Sequence, residues 1–143
     1  MLSDEDVAGL PIEEYAFPGP LRDALVGAIL AGKKTSTTSL VIEYRLEGEP
    51  LPEVGQRGAV IDSLGRAVCI TEVVDVRVVP LAGVELAHAM DEGEGYESVA
   101  EWRSGHEDFW HSAQFRAEMP DPQFTISDST AAVLVRFKVV KQG

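Results

Sequence analysis

The clearest hydrophobic pattern near the start of the chain has the period of an α-helix. It follows Pro18-Gly19-Pro20 and predicts a helix that buries one continuous stripe. Pro20 suits the first helical position, and Gly32 suits the position just past the end, where positive φ costs glycine little. The stripe consists of Leu21, Ala24, Leu25, Ala28 and Ile29.

A short segment before this helix predicts one more helical turn. Ser3 is placed to cap it, acidic residues follow the cap, and Pro11 ends it. We expect residues 12–15 to add a further turn. Residues 1–16 are therefore interpreted as an N-terminal helical extension.

Two β-rich runs in the middle of the chain predict a hairpin. The first is Gly58–Asp62, the second runs from Ala67 to Val79, and Ser63-Leu64-Gly65 separates them. The alternation of the second run shifts near Val73-Val74, which predicts a bulge that lets one strand serve two sides of a barrel. A last β-rich run, Thr130 to Val140, predicts the final strand.

Helical patterns fill the remaining stretches. Residues 39–46 fit both a strand and a helix, and we favour a short helix. Residues 84–90 predict another short helix, and Ser98-x-x-Glu101 is typical of a capping box ahead of a helix over about 98–115. Pro120 and Pro122 indicate a linker. Because strands and helices do not alternate, we predict an α+β fold with a small mixed barrel, not a doubly wound sheet.

Composition indicates one ordinary globular domain. The 143 residues are 45% hydrophobic and 25% charged, which argues against disorder. Cys69 is the only cysteine, so an intramolecular disulfide is excluded, and its apolar surroundings predict a buried thiol. The N-terminus is acidic, unlike that of a secretory signal, and the uncharged stretches fall short of the ~20 residues of a membrane span. We expect a cytoplasmic protein that does not contact a membrane.

Net charge narrows the class of ligand. The chain carries 24 acidic and 12 basic residues, giving a net charge of −12, and its longest basic run is Lys33-Lys34. A protein that binds polynucleotides mainly by neutralising phosphates carries more positive charge. The balance favours a small ligand over a long nucleic acid.

The segment of residues 33–39 concentrates polar chemistry next to the first strong helix. Two lysines precede five consecutive hydroxyl residues. A phosphate-binding loop is excluded because Lys34 stands where that motif needs serine or threonine, and because a helix, not a strand, precedes it. Local sequence leaves two interpretations open, a solvated loop or a site in which a desolvated lysine activates a hydroxyl. It also leaves open whether Lys33 or Lys34 faces a cleft.

The histidines do not predict a metal site. His106 and His111 are five residues apart, which places them about 140° apart around a helix. His88 is interpreted as structural. We therefore expect no metal and no cofactor. The carboxylates at 91–94 oppose the dipole at the end of a short helix, and this pattern fits an acidic turn and a functional site equally well.

Several short motifs occur together in a characteristic order, covering roughly residues 17–141. The motifs are Gly32-Lys33-Lys34-Thr35-x-Thr37, Leu51-Pro52-x-x-Gly55, Val60-Ile61-Asp62, Cys69-Ile70-Thr71-Glu72-Val73, Ala89-x-x-Glu92-Gly93-Glu94-Gly95, Trp102-x-x-x-His106-x-x-Phe109 and Val135-Arg136-Phe137-Lys138-Val139-Val140. Through this combination the chain resembles proteins of the ASCH-domain family, which is related to the PUA domains.

The resemblance implies a fold, a cleft and a set of ligands. Residues 1–143 would form one ASCH domain, a PUA-like mixed β-barrel with helices covering its openings and a cleft beside Gly32-Lys33-Lys34-Thr35. The expected partner is a small nucleoside or nucleotide, with RNA as an alternative, and the oligomeric state is left open. The chain differs from the usual family pattern at Tyr96, where an aspartate is common.

Some small members similar to this chain remove the acetyl group from N4-acetylcytidine. Their Lys-x-x-Thr pair and distant glutamate match Lys34, Thr37 and Glu92, which are our candidate catalytic residues. In this scheme Thr37 attacks the acyl carbon, neutral Lys34 takes its proton, and Glu92 orients Lys34 or protonates the leaving amine. We expect substrate contacts from Lys33, Thr35, Thr38, Asp62, Glu94 and Trp102.

Two other functions remain open from the resemblance. One is a non-catalytic PUA-like module that binds RNA or a modified nucleoside. The other is a ribonuclease that relies on a lysine, a tyrosine and a serine, for which Lys34, Tyr44 and Ser129 are the candidates. The sequence does not decide among these activities.

Overall fold

The computed structural model describes residues 2–121 and 123–143. Met1 and Pro122 lie outside the described residues, and with Pro122 so does part of the predicted proline linker. Five strands are present: β1 (Ile12–Glu13), β2 (Ser36–Leu40), β3 (Arg57–Ile61), β4 (Ala67–Pro80) and β5 (Ala131–Gln142). The helices are α1 (Asp4–Val7), α2 (Pro20–Leu30), α3 (Val41–Glu47), α4 (Leu86–Asp91), α5 (Val99–Trp110) and α6 (Ala113–Arg116), with a 3₁₀ turn at Leu81–Gly83.

The strands form one mixed sheet in the order β1-β3-β4-β5-β2. β1 runs parallel to β3, and the other neighbours are antiparallel. The α+β class is therefore confirmed. Within the described residues β1 and β2 are the two edges and do not pair with each other, so the predicted barrel is not closed. The two edges are short, with two residues in β1 and five in β2, so little edge backbone is available for the pairing that would close a barrel.

Strand β4 bends where the sequence predicted an irregularity. Its register against β5 shifts between Ile70 and Thr71 and again between Val73 and Asp75. Its first part also pairs with β3 in the predicted hairpin. Cys69 is a buried free thiol, as predicted, and burial raises its pKa to about 11.

Helix α2 is confirmed, but its buried face shares only Ile29 with the predicted stripe. Arg22, Val26 and Ile29 are buried, whereas Leu21 is exposed. Arg22 donates hydrogen bonds from its guanidinium to the carbonyls of Tyr15 and Ala16, at 3.2 and 2.9 Å. A polar residue therefore occupies the inner face because it fixes the preceding segment of backbone.

The N-terminal segment is partly helical and partly extended. Ser3 caps α1 through a capping box, as predicted, but residues 12–13 form β1 and not another helical turn. The edge of β3 explains the difference, because Ile12 and Glu13 pair with Ala59 and Val60 there.

The run of hydroxyl residues is ordered β structure, not a solvated loop. Ser36–Leu40 pairs with β5, and the helix favoured for residues 39–46 begins only at Val41. The Glu43 carboxylate accepts a hydrogen bond from the Leu40 backbone N–H at 2.7 Å, which caps α3.

The long helix predicted over 98–115 is two helices. α5 ends at Trp110, and Ser112 caps the short α6 through the Phe115 N–H. Trp102, Trp110 and Phe115 pack in the larger of two core clusters. Within residues 2–121 and 123–143, every helix is too short or too polar to cross a membrane.

Candidate active site

The two adjacent lysines lie in opposite environments. After α2 the chain turns at Gly32, whose φ of +77° suits glycine. The Lys33 side chain is exposed, whereas only 2% of the Lys34 side chain is accessible. Lys34 Nζ donates a hydrogen bond to the Ser36 carbonyl at 2.8 Å. Lys34, and not Lys33, therefore faces the interior of the cleft.

The end of α4 packs directly against this backbone. The Thr35 N–H donates to the Asp91 carbonyl at 2.8 Å. Gly93 has a φ of +73°, and a Cβ placed on it would lie 2.5 Å from the Lys33 carbonyl oxygen. A glycine is thus required where the two segments meet, and the close packing brings Glu92 to Lys34.

Four hydrogen-bond donors surround the buried Glu92 carboxylate. Oε1 lies 3.5 Å from Lys34 Nζ and 3.1 Å from His106 Nε2. Oε2 accepts from Thr38 Oγ1 at 3.1 Å and from Trp102 Nε1. We call Lys34, Glu92 and His106 the buried ion cluster.

The pKa shifts in this cluster follow from burial and charge. Burial alone would raise the pKa of Glu92, but the His106 hydrogen bond and the charges of His106 and Lys34 outweigh it and hold the pKa well below its usual range. Burial lowers the pKa of Lys34, and the charges of Glu92 and Glu94 offset this only in part. The carboxylate is therefore ionised at neutral pH, while the lysine releases its proton more readily than an exposed one.

A second histidine, His88, is linked to Glu92 through the hydroxyl of Thr38. His88 Nε2 lies 2.8 Å from Thr38 Oγ1, and the Thr38 hydroxyl donates to Glu92. Since that hydroxyl has only one proton, His88 must be the donor to Thr38. Burial lowers the pKa of His88, so this side chain is neutral and holds Thr38 by a hydrogen bond.

Lys34, Thr38, Glu92 and His106 line a cleft of about 290 Å³, a size at the small end for ligand pockets. Thr37 lines it beside Lys34 and Glu92, and so do Leu21 and Leu25, two residues of the predicted α2 stripe. A further group of carboxylates, which we call the acidic wall, consists of Glu13, Glu14 and Glu43.

The predicted site residues do not all meet in the cleft. Lys34 and Glu92 form an ion pair, and Thr37 lines the cleft without a hydrogen bond to either. Thr38 and Glu94 also line it, whereas Trp102 lies fully buried beneath Glu92. The other predicted binding residues lie elsewhere: Lys33 is exposed, Thr35 bonds Asp91, and Asp62 holds the β3–β4 turn through Arg66.

Residues that were not predicted complete the cleft. His106 was assigned no role, yet it contacts Glu92 directly, and its ring stacks on Trp102 with centroids 4.4 Å apart. Trp102 and His106 are four residues apart on one helix, and this spacing is the signal that could have placed His106 next to the predicted Trp102. Tyr96 lies over Gly105, where a Cβ would come within 2.5 Å of the Tyr96 hydroxyl. Of the ribonuclease candidates, Tyr44 lines the cleft, and Ser129 is exposed in the loop before β5 and bonds Ser127.

Glu92, Glu94 and His106 offer three potential metal ligands within 4.8 Å of one another. The Lys34 ammonium, however, lies on the same Glu92 oxygen as His106. Protein donors therefore already surround this carboxylate, and the arrangement is that of a hydrogen-bonded ion cluster.

The sequence matches the model of the ASCH domain over residues 13–141. The chain belongs to the ASCH domain family. ASCH domains are in general PUA-like modules with RNA-binding or hydrolytic roles, and they take nucleic-acid or nucleotide-like ligands.

Solved structures show the same fold. An ASCH domain from Lactobacillus crispatus JV V101 is 27% identical with a TM-score of 0.78, covering 95% of this chain and 82% of the other. Protein EF3133 from Enterococcus faecalis V583 is 23% identical with a TM-score of 0.78, covering 92% and 77%. The ASCH protein from Zymomonas mobilis is 12% identical with a TM-score of 0.51, covering 93% and 70%. No curated protein matches the sequence.

Proposed function

We propose that this ASCH protein is a hydrolase that removes an N4-acyl group from a cytosine nucleoside. The observation that carries the proposal is the buried Lys34 amine, 3.5 Å from the Glu92 carboxylate, in a cleft that Thr37 also lines. A desolvated lysine beside a hydroxyl residue is a known arrangement for nucleophilic hydrolysis. Glu92 orients Lys34 in this scheme.

The reaction has two stages. Thr37 Oγ attacks the acyl carbon and gives its proton to neutral Lys34, and collapse of the intermediate then breaks the C–N bond as the Lys34 ammonium protonates the leaving amine. Water next hydrolyses the threonine ester, with Lys34 again taking and returning the proton. The lowered pKa of Glu92 leaves this carboxylate without a proton to donate, so Lys34 serves as both base and acid. Thr37 must come within hydrogen-bonding distance of Lys34 in the complex, where catalytic hydrogen bonds commonly tighten.

Charge in the cleft supports a nucleoside substrate over a polynucleotide. Five carboxylates line it, from the acidic wall together with Glu92 and Glu94, against the cations Lys34 and His106. A phosphate would meet net repulsion there. Aromatic rings on the lining suit the flat face of a base, and they come from Tyr15, Tyr44, Tyr96 and Phe109.

The test compares two lysine variants on N4-acetylcytidine. Lys34→Met keeps most of the buried side-chain volume and removes the base, so we expect kcat/KM to fall by roughly 10²- to 10⁴-fold. Lys33→Met changes the exposed neighbour and should leave turnover unchanged. Product release is followed by chromatography of free cytidine. Undiminished turnover in a folded Lys34→Met protein would rule the proposal out.

RNA binding and RNA cleavage are the competing outcomes. A steep loss of RNA affinity with added salt would indicate phosphate contacts and a polynucleotide ligand. If the protein cleaves RNA and the Ser129→Ala variant cleaves it equally well, Ser129 is not the serine of a ribonuclease site. We expect neither strong RNA affinity nor cleavage, because the acidic wall repels phosphates.

A further inference from the structure

His106 lies between two hydrogen-bond acceptors. Its Nδ1 is 2.9 Å from the Trp102 carbonyl oxygen, and its Nε2 is 3.1 Å from Glu92 Oε1. A carbonyl oxygen cannot donate, and neither can an ionised carboxylate, so each ring nitrogen has to carry a proton to make its bond. The geometry requires an imidazolium.

The ionised state of Glu92 follows from its own surroundings. Besides His106 and Lys34, it receives the indole N–H of Trp102 and the hydroxyl of Thr38. A carboxylate that accepts several hydrogen bonds while facing cations keeps its charge even when buried. The raised pKa of His106 is consistent with this, because the hydrogen bond and charge of Glu92 outweigh the effect of burial.

Lys34 and His106 share a single oxygen atom. Both lie near Glu92 Oε1, with Nζ at 3.5 Å and Nε2 at 3.1 Å. One negative charge cannot fully compensate two neighbouring cations. While His106 is protonated, Lys34 therefore gains less from Glu92 than it would in an isolated pair.

We propose that His106 is a positioning residue which, by holding Glu92 Oε1 as an imidazolium, keeps the Lys34 amine free to accept a proton. Among the described residues, Glu92 and Glu94 are the carboxylates whose charges act on Lys34 beside His106, while the acidic wall lines the same cleft and the Tyr15 ring lies 5.8 Å from Nζ. Glu94 is exposed at the rim and acts in the opposite direction to His106, since its charge favours the lysine cation. This inference relies on the proposed function only for the catalytic meaning of Lys34.

The test is a substrate-free NMR titration of lysine side chains. The chain has only four lysines, and the other three, Lys33, Lys138 and Lys141, serve as internal references. In His106→Gln we expect the Lys34 titration to move up by about one to two pH units, because a nearby cation has been removed. In Glu94→Gln we expect a smaller downward shift. The reference lysines should not move.

Two results would overturn the inference, and one of them needs no variant. An unmoved Lys34 titration in a folded His106→Gln protein would do so. In the wild-type protein, an imidazole NMR signal showing that His106 is neutral at pH 6 would do so as well, whether or not the variant folds. Both measurements omit substrate, so their outcome is separate from any failure to deacylate N4-acetylcytidine.

If the enzyme deacylates N4-acetylcytidine, the same effect must appear in kinetics. We expect the acidic limb of the pH–kcat profile to move to higher pH in His106→Gln, in step with the Lys34 titration. A loss of packing alone would lower kcat at every pH and leave that limb in place.

Discussion

The buried ion cluster and the acidic wall place carboxylates on the same cleft under opposite conditions. Glu92 in the cluster faces two cations and two neutral donors, and its pKa is lowered. Glu13 and Glu43 in the wall face mainly other carboxylates, and burial raises the pKa of both. A buried acid therefore stays ionised down to low pH only where the fold supplies partners, and the cluster is where the fold supplies them.

The largest expected change in stability comes from removing the centre of the cluster. Glu92→Ala leaves Lys34 and His106 without their shared partner, and we expect the free energy of unfolding to fall by about 3–5 kcal/mol in urea denaturation at pH 7. Glu14→Ala, in the acidic wall, removes a carboxylate whose side chain is 63% exposed and should cost less than about 1 kcal/mol.

The difference in the free energy of unfolding between Glu92→Ala and the wild-type protein should also depend on pH. The native pKa of Glu92 lies below its value in the unfolded chain. Its contribution to stability is therefore full above the unfolded pKa and is lost as the pH falls through the native one. A difference that stays constant from pH 7 to pH 3 would contradict this account of the cluster.

A smaller loss of stability is expected where Gly93, just after α4, packs on the Lys33 carbonyl. Gly93→Ala combines positive φ with a Cβ 2.5 Å from that oxygen, and we expect a loss of about 2–3 kcal/mol in the free energy of unfolding. Gly95→Ala is the matched control, because Gly95 also has positive φ but a Cβ there meets nothing within 4 Å. It should cost only about 1 kcal/mol. Equal losses would mean that the close packing is unimportant for bringing Glu92 to Lys34.

The smallest change in stability is expected in the acidic wall, and it is a gain where the others are losses. Burial raises the pKa of Glu43 to about 7, although the Leu40 N–H acts against this. Because the native pKa exceeds the unfolded one, the wild-type protein loses stability as the pH rises between them. Glu43→Gln keeps an acceptor for Leu40 and should be more stable than wild type by about 1–2 kcal/mol at pH 8.

That gain should disappear below about pH 4.5, where Glu43 is protonated in both native and unfolded chains. Glu47→Gln, at an exposed position on the same helix, should change stability less but with the same sign. A gain from Glu43→Gln that did not depend on pH would indicate a packing effect.

The sequence predicted the sheet better than the cleft. The β3–β4 hairpin, the bulge near Val73 and strand β5 followed from alternation and turn residues, which are local signals. The edge strand β1 was mistaken for a helical turn because only its pairing with Ala59 and Val60 makes it extended. The stripe on α2 was assigned to the core because periodicity does not distinguish an apolar core from an apolar cleft.

The meeting of Lys34 with Glu92 was expected only through the family resemblance. No local sequence pattern links the two residues, because they come together through backbone packing at Asp91 and Gly93. His106 was missed because helical spacing relates it only to residues of its own helix, such as Trp102, and sets it apart from His111. Its partner, Glu92, lies before that helix begins, and no helical spacing relates the two.

The position of β2 has a consequence for biosynthesis. Within the described residues, β5 is the only strand that pairs with the segment following Lys34, and it is the last of the five strands in chain order. Until β5 is made, the segment after Lys34 has no strand to hold it, and the pairing that fixes it is strongly non-local. The cleft is therefore assembled late, and a nascent chain that stops before Ala131 carries Lys34, Glu92 and His106 without the strand that holds β2 in the sheet.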